Sequence, residues 1–323
     1  IELLDELVFG AREAAWPLIR DDLSLSYTQV GLLLAVPNVV SLLVEPVLGV
    51  ASVAWRRRAL VLAGGVCFAA ALALAAGAPS FWALLVAFCL LYPASGAFVS
   101  LSQASLMDLE PGRREENMAR WTLVGGVGVV LGPLALAGLT LVGLGWRELL
   151  LALAGAALAL VVLVRRTTEA TGAGDRARPR EALRALRRRE VVRWLFLLEL
   201  SDLLGDVLLG FLALYFVDAV GSSPTAGGLA VAVWSGAGLA GAAAMIPLLR
   251  RIGGLRYLRT SAAITLGLFA GFLLAPGTGA KLALVGAIAA VNAGWYSVLK
   301  ARLYGALDGK SGLVLTAGAL FPL

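Results

Sequence analysis

Glu199, Asp202 and Asp206 stand three and then four residues apart, so a helix carries all three carboxylates on one face. The residues around them are apolar, and the stretch reads as a membrane-spanning helix. A carboxylate at the centre of a lipid-facing helix costs on the order of 2.5–3.5 kcal/mol. Three on one face therefore require that this face look into protein or water. Carboxylates held there can take up and release protons, pair with cations or accept hydrogen bonds from a solute. Earlier in the chain Glu2, Asp5 and Arg12 share a helical face with Phe9. Lys300 places a cation at a depth like that of Glu199 and Asp202. Glu45 stands beside Pro46 within another apolar run.

The elements that must hold these residues follow from composition. Hydrophobic residues make up 60% of the chain and charged residues 15%. A soluble protein of 323 residues has too little polar side chain at that composition to cover its surface. Apolar runs long enough to span a membrane cover residues 1–19, 28–54, 58–77, 81–108, 119–142, 147–164, 191–217, 226–249, 255–275 and 280–306. An eleventh begins near Ser311. The runs lack the period-two alternation of a membrane barrel, so the expected class is an all-α polytopic membrane protein. The first residue is not methionine and the eleventh run is cut at Leu323, so both ends are expected to be truncated.

The first half of the chain recurs in the second. Glu2 and Asp5 reappear as Glu199 and Asp202, an offset of 197 residues. At that offset Asp21 meets Asp218, Ser26 meets Ser223, Thr28 meets Thr225, and Gly112 with Arg113 meets Gly309 with Lys310. Two helical bundles related by a parallel repeat are expected: residues 1–164 and 191–323, joined by a linker over 165–190.

Basic residues collect in alternate loops: Arg56 to Arg58, Arg113 with Arg114, the arginine-rich stretch after Arg165, and Arg250 to Arg259. The intervening loops hold little beyond Arg20, Arg147 and Lys281. This alternation puts residue 1 and the linker in the cytoplasm of a cell-membrane protein. It also accounts for the net charge of +6 as topology and attraction to anionic lipid, so no nucleic-acid partner is expected. There are no histidines and only two cysteines, Cys67 and Cys89. A membrane enzyme would need a metal or nucleophile cluster near one surface, and nothing in the loops supplies it. No cofactor is expected, and a monomer is expected.

Three segments carry a family likeness. The stretch from Gly49 to Arg58 keeps a glycine and closing arginines in the pattern Gly-x-x-x-Asp-Arg-x-Gly-Arg-Arg, with Val53 at the aspartate and Arg56 at the second glycine. Asp108 stands at the inner end of the fourth run, ahead of Pro111 and Gly112. Gly128, Gly132 and Pro133 form a Gly-x-x-x-Gly-Pro pattern in the fifth, with Leu136 and Ala137 where later glycines of that pattern fall. With the repeat, these resemble the major facilitator superfamily of secondary transporters. The resemblance implies twelve spans, of which this chain holds ten and part of an eleventh. It also implies alternating access of two six-helix bundles around a cavity lined by spans one, four, seven and ten.

On that resemblance the proton and substrate path takes Asp206, Asp202, Glu199, Asp5, Arg12, Lys300 and Gln103, the last matching Lys300 in the repeat. Gating falls to Glu2, Glu45, Arg57, Asp108, Gly132 and Pro133, with Arg57 and Asp108 as an ion pair at the closed inner side. The partners implied are a small solute, protons and membrane lipid. Proton-driven export leads, from the Gly-x-x-x-Gly-Pro pattern, and proton-coupled uptake is second. A lipid scramblase or a receptor on the same scaffold is the reading from another class.

Overall fold

The structure is a computed structural model that describes residues 1–54, 57–166, 184, 187–222, 224–307 and 313–314. All regular structure among these residues is helical. Helices α1 (Glu2–Asp22), α2 (Tyr27–Ala54), α3 (Arg57–Ala76), α4 (Phe81–Ser95), α5 (Leu101–Leu109), α6 (Arg114–Leu141) and α7 (Trp146–Arg166) precede the linker. After it come α8 (Arg189–Leu214), α9 (Pro224–Ile252), α10 (Gly254–Leu274), α11 (Thr278–Asn292) and α12 (Trp295–Ala306). A π-helical turn, Gly96–Ser100, joins α4 to α5, and a second, Tyr215–Ala219, continues α8. Most of the linker, most of the region after Leu307 and the Gly309–Lys310 half of the repeat match lie outside the described residues.

The repeat reappears in the helix bounds. Shifted by 197 residues, α2, α3 and α4 become residues 224–251, 254–273 and 278–292, against α9, α10 and α11 as observed. The ends of α5 and α12, Leu109 and Ala306, are the same distance apart.

Eight described helical stretches are long and apolar enough to cross a membrane. Helices α1 and α8 fall outside that set although both occupy expected spans. They are the two that carry the repeated Glu-x-x-Asp, and their polar faces need partners that lipid lacks.

Local signals set the helix ends. Ser26 and Gln29 form a capping box at the start of α2: Gln29 N donates to Ser26 Oγ at 3.2 Å, and Ser26 N donates to Gln29 Oε1 at 2.9 Å. Ser80 caps α4 by accepting from Ala83 N. The turn from α9 to α10 is a single residue, Gly253, at φ 70°. Inside α4, Pro93 has no N–H to give, and the π turn follows three residues later.

The chain divides into two compact units: Ile1–Pro111 with Val124–Arg188 and Leu307–Pro322, and Gly112–Leu123 with Arg189–Ala306. In the first, Phe68, Leu72, Leu84, Phe88 and Phe98 are fully buried. Gly64 and Gly65 of α3 let the π turn and α7 come close: a Cβ at Gly64 would lie 2.8 Å from Phe98 N, and one at Gly65 2.5 Å from Val161 Cγ2. In the second, Leu212, Phe216, Phe272, Val285 and Ile288 form one core cluster. Ala119, Met245, Leu249, Tyr257 and Val298 form another. The first turns of α6 thus pack with the second unit through Ala119, although in sequence they stand well ahead of the linker.

Candidate functional site

Within the first unit, carboxylates from two helices converge on the start of the π turn. Ser95 Oγ donates to Asp5 Oδ1 at 2.8 Å. Glu45, which accepts from Ser41 Oγ at 2.6 Å, packs on Gly96 so closely that a Cβ there would meet its Oε1 at 3.1 Å. A charge-assisted hydrogen bond contributes about 1.5–3 kcal/mol. One such bond roughly offsets the bilayer cost of a carboxylate. Asp5 can also gain a proton on its other oxygen without losing Ser95.

Arg12 lies farther along α1. It is 8% exposed. Its Nη1 donates to the Tyr92 hydroxyl at 2.6 Å, its Nη2 to Glu13 Oε1 at 2.8 Å, and its guanidinium sits over the Phe9 and Tyr92 rings. Trp16, one turn on, packs edge-on against Phe88 with ring centroids 6.0 Å apart. Arg12 and Trp16 on α1 therefore meet Tyr92 and Phe88 on α4 as two successive rungs.

Helix α6 meets α1 through glycine. A Cβ at Gly132 would lie 2.5 Å from Leu7 O, and one at Gly128 2.7 Å from Leu3 O. Gly125 leaves room for Glu2: a Cβ there would stand 2.8 Å from Glu2 Oε1. Pro133 follows in the same helix. Arg57 Nη1 of α3 donates to Asp108 Oδ2 of α5 at 2.7 Å, both side chains largely buried. Val53, at the family's aspartate position, is in α2, but its side chain lies outside the described residues. Gln103 is buried on α5.

Within the second unit, Lys300 of α12 sits over the Tyr296 ring and in electrostatic range of Asp202 and Glu199 of α8. The side chain of Asp206 lies outside the described residues.

Two groups stand out that their sequence positions did not mark. Glu115 and Glu116 open α6. Glu115 accepts from Gly254 N, the first residue of α10, at 2.8 Å and from Arg302 Nη2 at 2.6 Å. Glu116, largely buried, pairs with Arg113, Arg120 and Arg250. Acids in the first turn of a helix were the signal, but they read equally as helix-dipole partners. The other group is Lys281, buried in α11. Its Nζ donates to Phe272 O at 2.6 Å, Leu273 O at 3.2 Å and the Tyr215 hydroxyl at 3.0 Å. It closes the end of α10, where helix carbonyls lack partners. In sequence it looked like a lone loop cation.

Comparison with known proteins covers nearly the whole chain. Residues 7–307 match the family model described as Major Facilitator Superfamily. No curated protein gave a sequence match. Among solved structures, FucP in the outward conformation superposes with a TM-score of 0.79 at 14% identity, covering 98% of this chain and 87% of that one. The proton:xylose symporter XylE gives 0.67 at 15%, covering 98% and 85%. The human organic anion transporter MFSD10 gives 0.61 at 20%, covering 99% and 90%.

Proposed function

The chain belongs to the Major Facilitator Superfamily, and on that premise we propose that it is a secondary transporter that couples proton movement to export of a small solute by alternating access. The observation that carries this reading is the pair of charged helices, α1 and α8, among helices apolar enough to cross a membrane. Carboxylates inside a membrane domain are costly and are retained where ions or solutes pass. Asp206 is the proton carrier in this reading. It has no charged counterpart in the repeat, where Phe9 stands in its place, so bundle symmetry does not account for it. Asp202, Glu199, Asp5, Arg12, Lys300 and Gln103 serve the same path. Glu2, Glu45, Gly132, Pro133 and the Arg57–Asp108 pair serve the gates.

The close seating of Gly128 and Gly132 on α1 supports the export direction, since it gives the Gly-x-x-x-Gly-Pro pattern a mechanical use. A second reading, proton-coupled uptake, is favoured by the names of two structural neighbours, a fucose:proton symporter and a proton:xylose symporter. The protein acts as a monomer in the cell membrane with residue 1 and the linker in the cytoplasm. Labelling of Asp175→Cys by an impermeant reagent outside intact cells would sink that orientation.

The functional test is a solute screen in proteoliposomes under an imposed pH gradient, read as solute-dependent proton flux. Asp206→Asn mimics the protonated carboxyl permanently. It is expected to abolish gradient-driven transport while solute exchange without a gradient persists. Normal pH-driven accumulation by folded Asp206→Asn protein would put the proton on another residue. Opposite signs of flux separate export from uptake.

A further inference from the structure

At the α9–α10 turn lies a cavity of about 460 Å³, lined among others by Leu255, Arg256, Arg259, Thr260 and Arg302. Arg256 and Arg259 are one turn apart on α10, exposed, and without a carboxylate partner among the described residues. Arg302 gives its Nη2 to Glu115, while its Nε is buried with no hydrogen-bond partner. Three guanidinium groups around one cavity, two of them unneutralised, suit a phosphate oxygen cluster, which arginine binds through paired N–H donors.

What leaves the cavity along α10 indicates the rest of the ligand. Leu255, Arg259, Leu266 and Leu273 follow spacings of four, seven and seven, so they fall on one helical face. Leu266 is 72% exposed and Leu273 52% exposed. An anionic head against arginine and an apolar stripe continuing along the same face together match an amphipathic molecule, not a free ion. The arginine alternation puts this end of α10 at the cytoplasmic leaflet, the leaflet richer in anionic lipid. We propose that the cavity lined by Arg256, Arg259 and Arg302 holds the headgroup of an anionic phospholipid whose acyl chain lies along the Leu266–Leu273 stripe of α10.

The bland account of these arginines is diffuse positive charge that sets topology. A control separates the two. Arg165 and Arg166 end α7 on the same predicted side, are exposed, and are not among the residues lining this cavity. Purified full-length protein, stripped of lipid, is titrated with phosphatidylglycerol or phosphatidylcholine and bound lipid is counted by native mass spectrometry. The intact protein is expected to prefer phosphatidylglycerol. Arg256→Gln with Arg259→Gln is expected to lose about thirtyfold in that affinity, and Arg165→Gln with Arg166→Gln to keep it. Equal losses in both double variants, or no loss in either, overturn the site. Displacement of the lipid by inorganic phosphate at equal concentration also overturns it, in favour of a free-anion site. No outcome depends on transport, so the result stands apart from the proposed function.

Discussion

Asp5 and Asp202 occupy one position of the repeat and meet different chemistry. Asp5 is held by the hydroxyl of Ser95, beside the π turn of its own unit. Asp202 shares its surroundings with the ammonium of Lys300, and the residue matching Lys300 in the first unit is the neutral Gln103. A hydroxyl fixes a carboxyl in either protonation state, because it can donate or accept. An ammonium favours only the ionised one. The same acid of the repeat therefore has a hydroxyl beside it in one unit and an ammonium near it in the other.

Helix ends show the same divergence. The end of α3 is closed by Arg147, which donates from Nη1 to Ala76 O at 2.6 Å and Ala78 O at 2.9 Å and pairs with Asp22 at 2.9 Å. The matching end of α10 is closed by Lys281, buried, with the Tyr215 and Phe272 rings against its ammonium. Both units put a cation on the last carbonyls of the same helix, from different helices and at different depths.

The largest expected difference is between the two aspartates. Asp202→Asn should lower gradient-driven transport by about a hundredfold, roughly 2.7 kcal/mol, because it leaves Lys300 short of an anion. Asp5→Asn keeps an acceptor for Ser95 and should stay within about threefold of the parent. Initial rates in proteoliposomes decide it, and equal losses would mean that the repeat dominates over the neighbours.

Next come the two helix ends. Lys281→Ala strips the buried Phe272 carbonyl, the part-buried Leu273 carbonyl and a tyrosine hydroxyl of their donor, and should cost about 2 kcal/mol. Arg147→Ala opens a more exposed end that water can reach, and should cost about 1 kcal/mol. Thermal unfolding midpoints in detergent rank the two. If Arg147→Ala proves the more damaging, burial is not what separates them.

A third comparison concerns glycines within a single helix. Gly132→Ala drives a methyl into the α1 backbone and should destabilise by about 1–3 kcal/mol. At Gly138 no atom stands within 4 Å of a Cβ, and Gly138→Ala should be neutral or stabilise by about 0.5 kcal/mol. The same unfolding assay compares them, and a harmless Gly132→Ala would show that α6 can move away from α1.

Much of the fold was legible because lipid removes choices. Backbone polar groups have no partner in hydrocarbon, so long apolar runs become helices, and the bounds of α2, α3 and their repeats α9 and α10 fell near the expected ones, while the runs expected over 81–108 and 280–306 are each divided into two helices. The pairing of Arg57 with Asp108 was legible as well, since both stood in segments whose family pattern brings them together. The convergence of Asp5 and Glu45 on Ser95 and Gly96 was not. It depends on a π turn after Pro93 that re-aims one turn of helix, and helical periodicity assumes no such turn.

The sequence by itself determined the class, the number of residues between repeats and which helices carry charge, because composition and spacing act locally and survive any packing. Only the tertiary structure decided which groups neutralise those charges. Glu116 draws arginines from α6 itself and from α9, and Lys281 reaches the carbonyls of α10. Such partners are set by close approach of helices, in the second unit at small residues such as Gly241 against Ala290 and Gly254 against Glu115. That approach is a property of two surfaces at once, and no single stretch of chain records it.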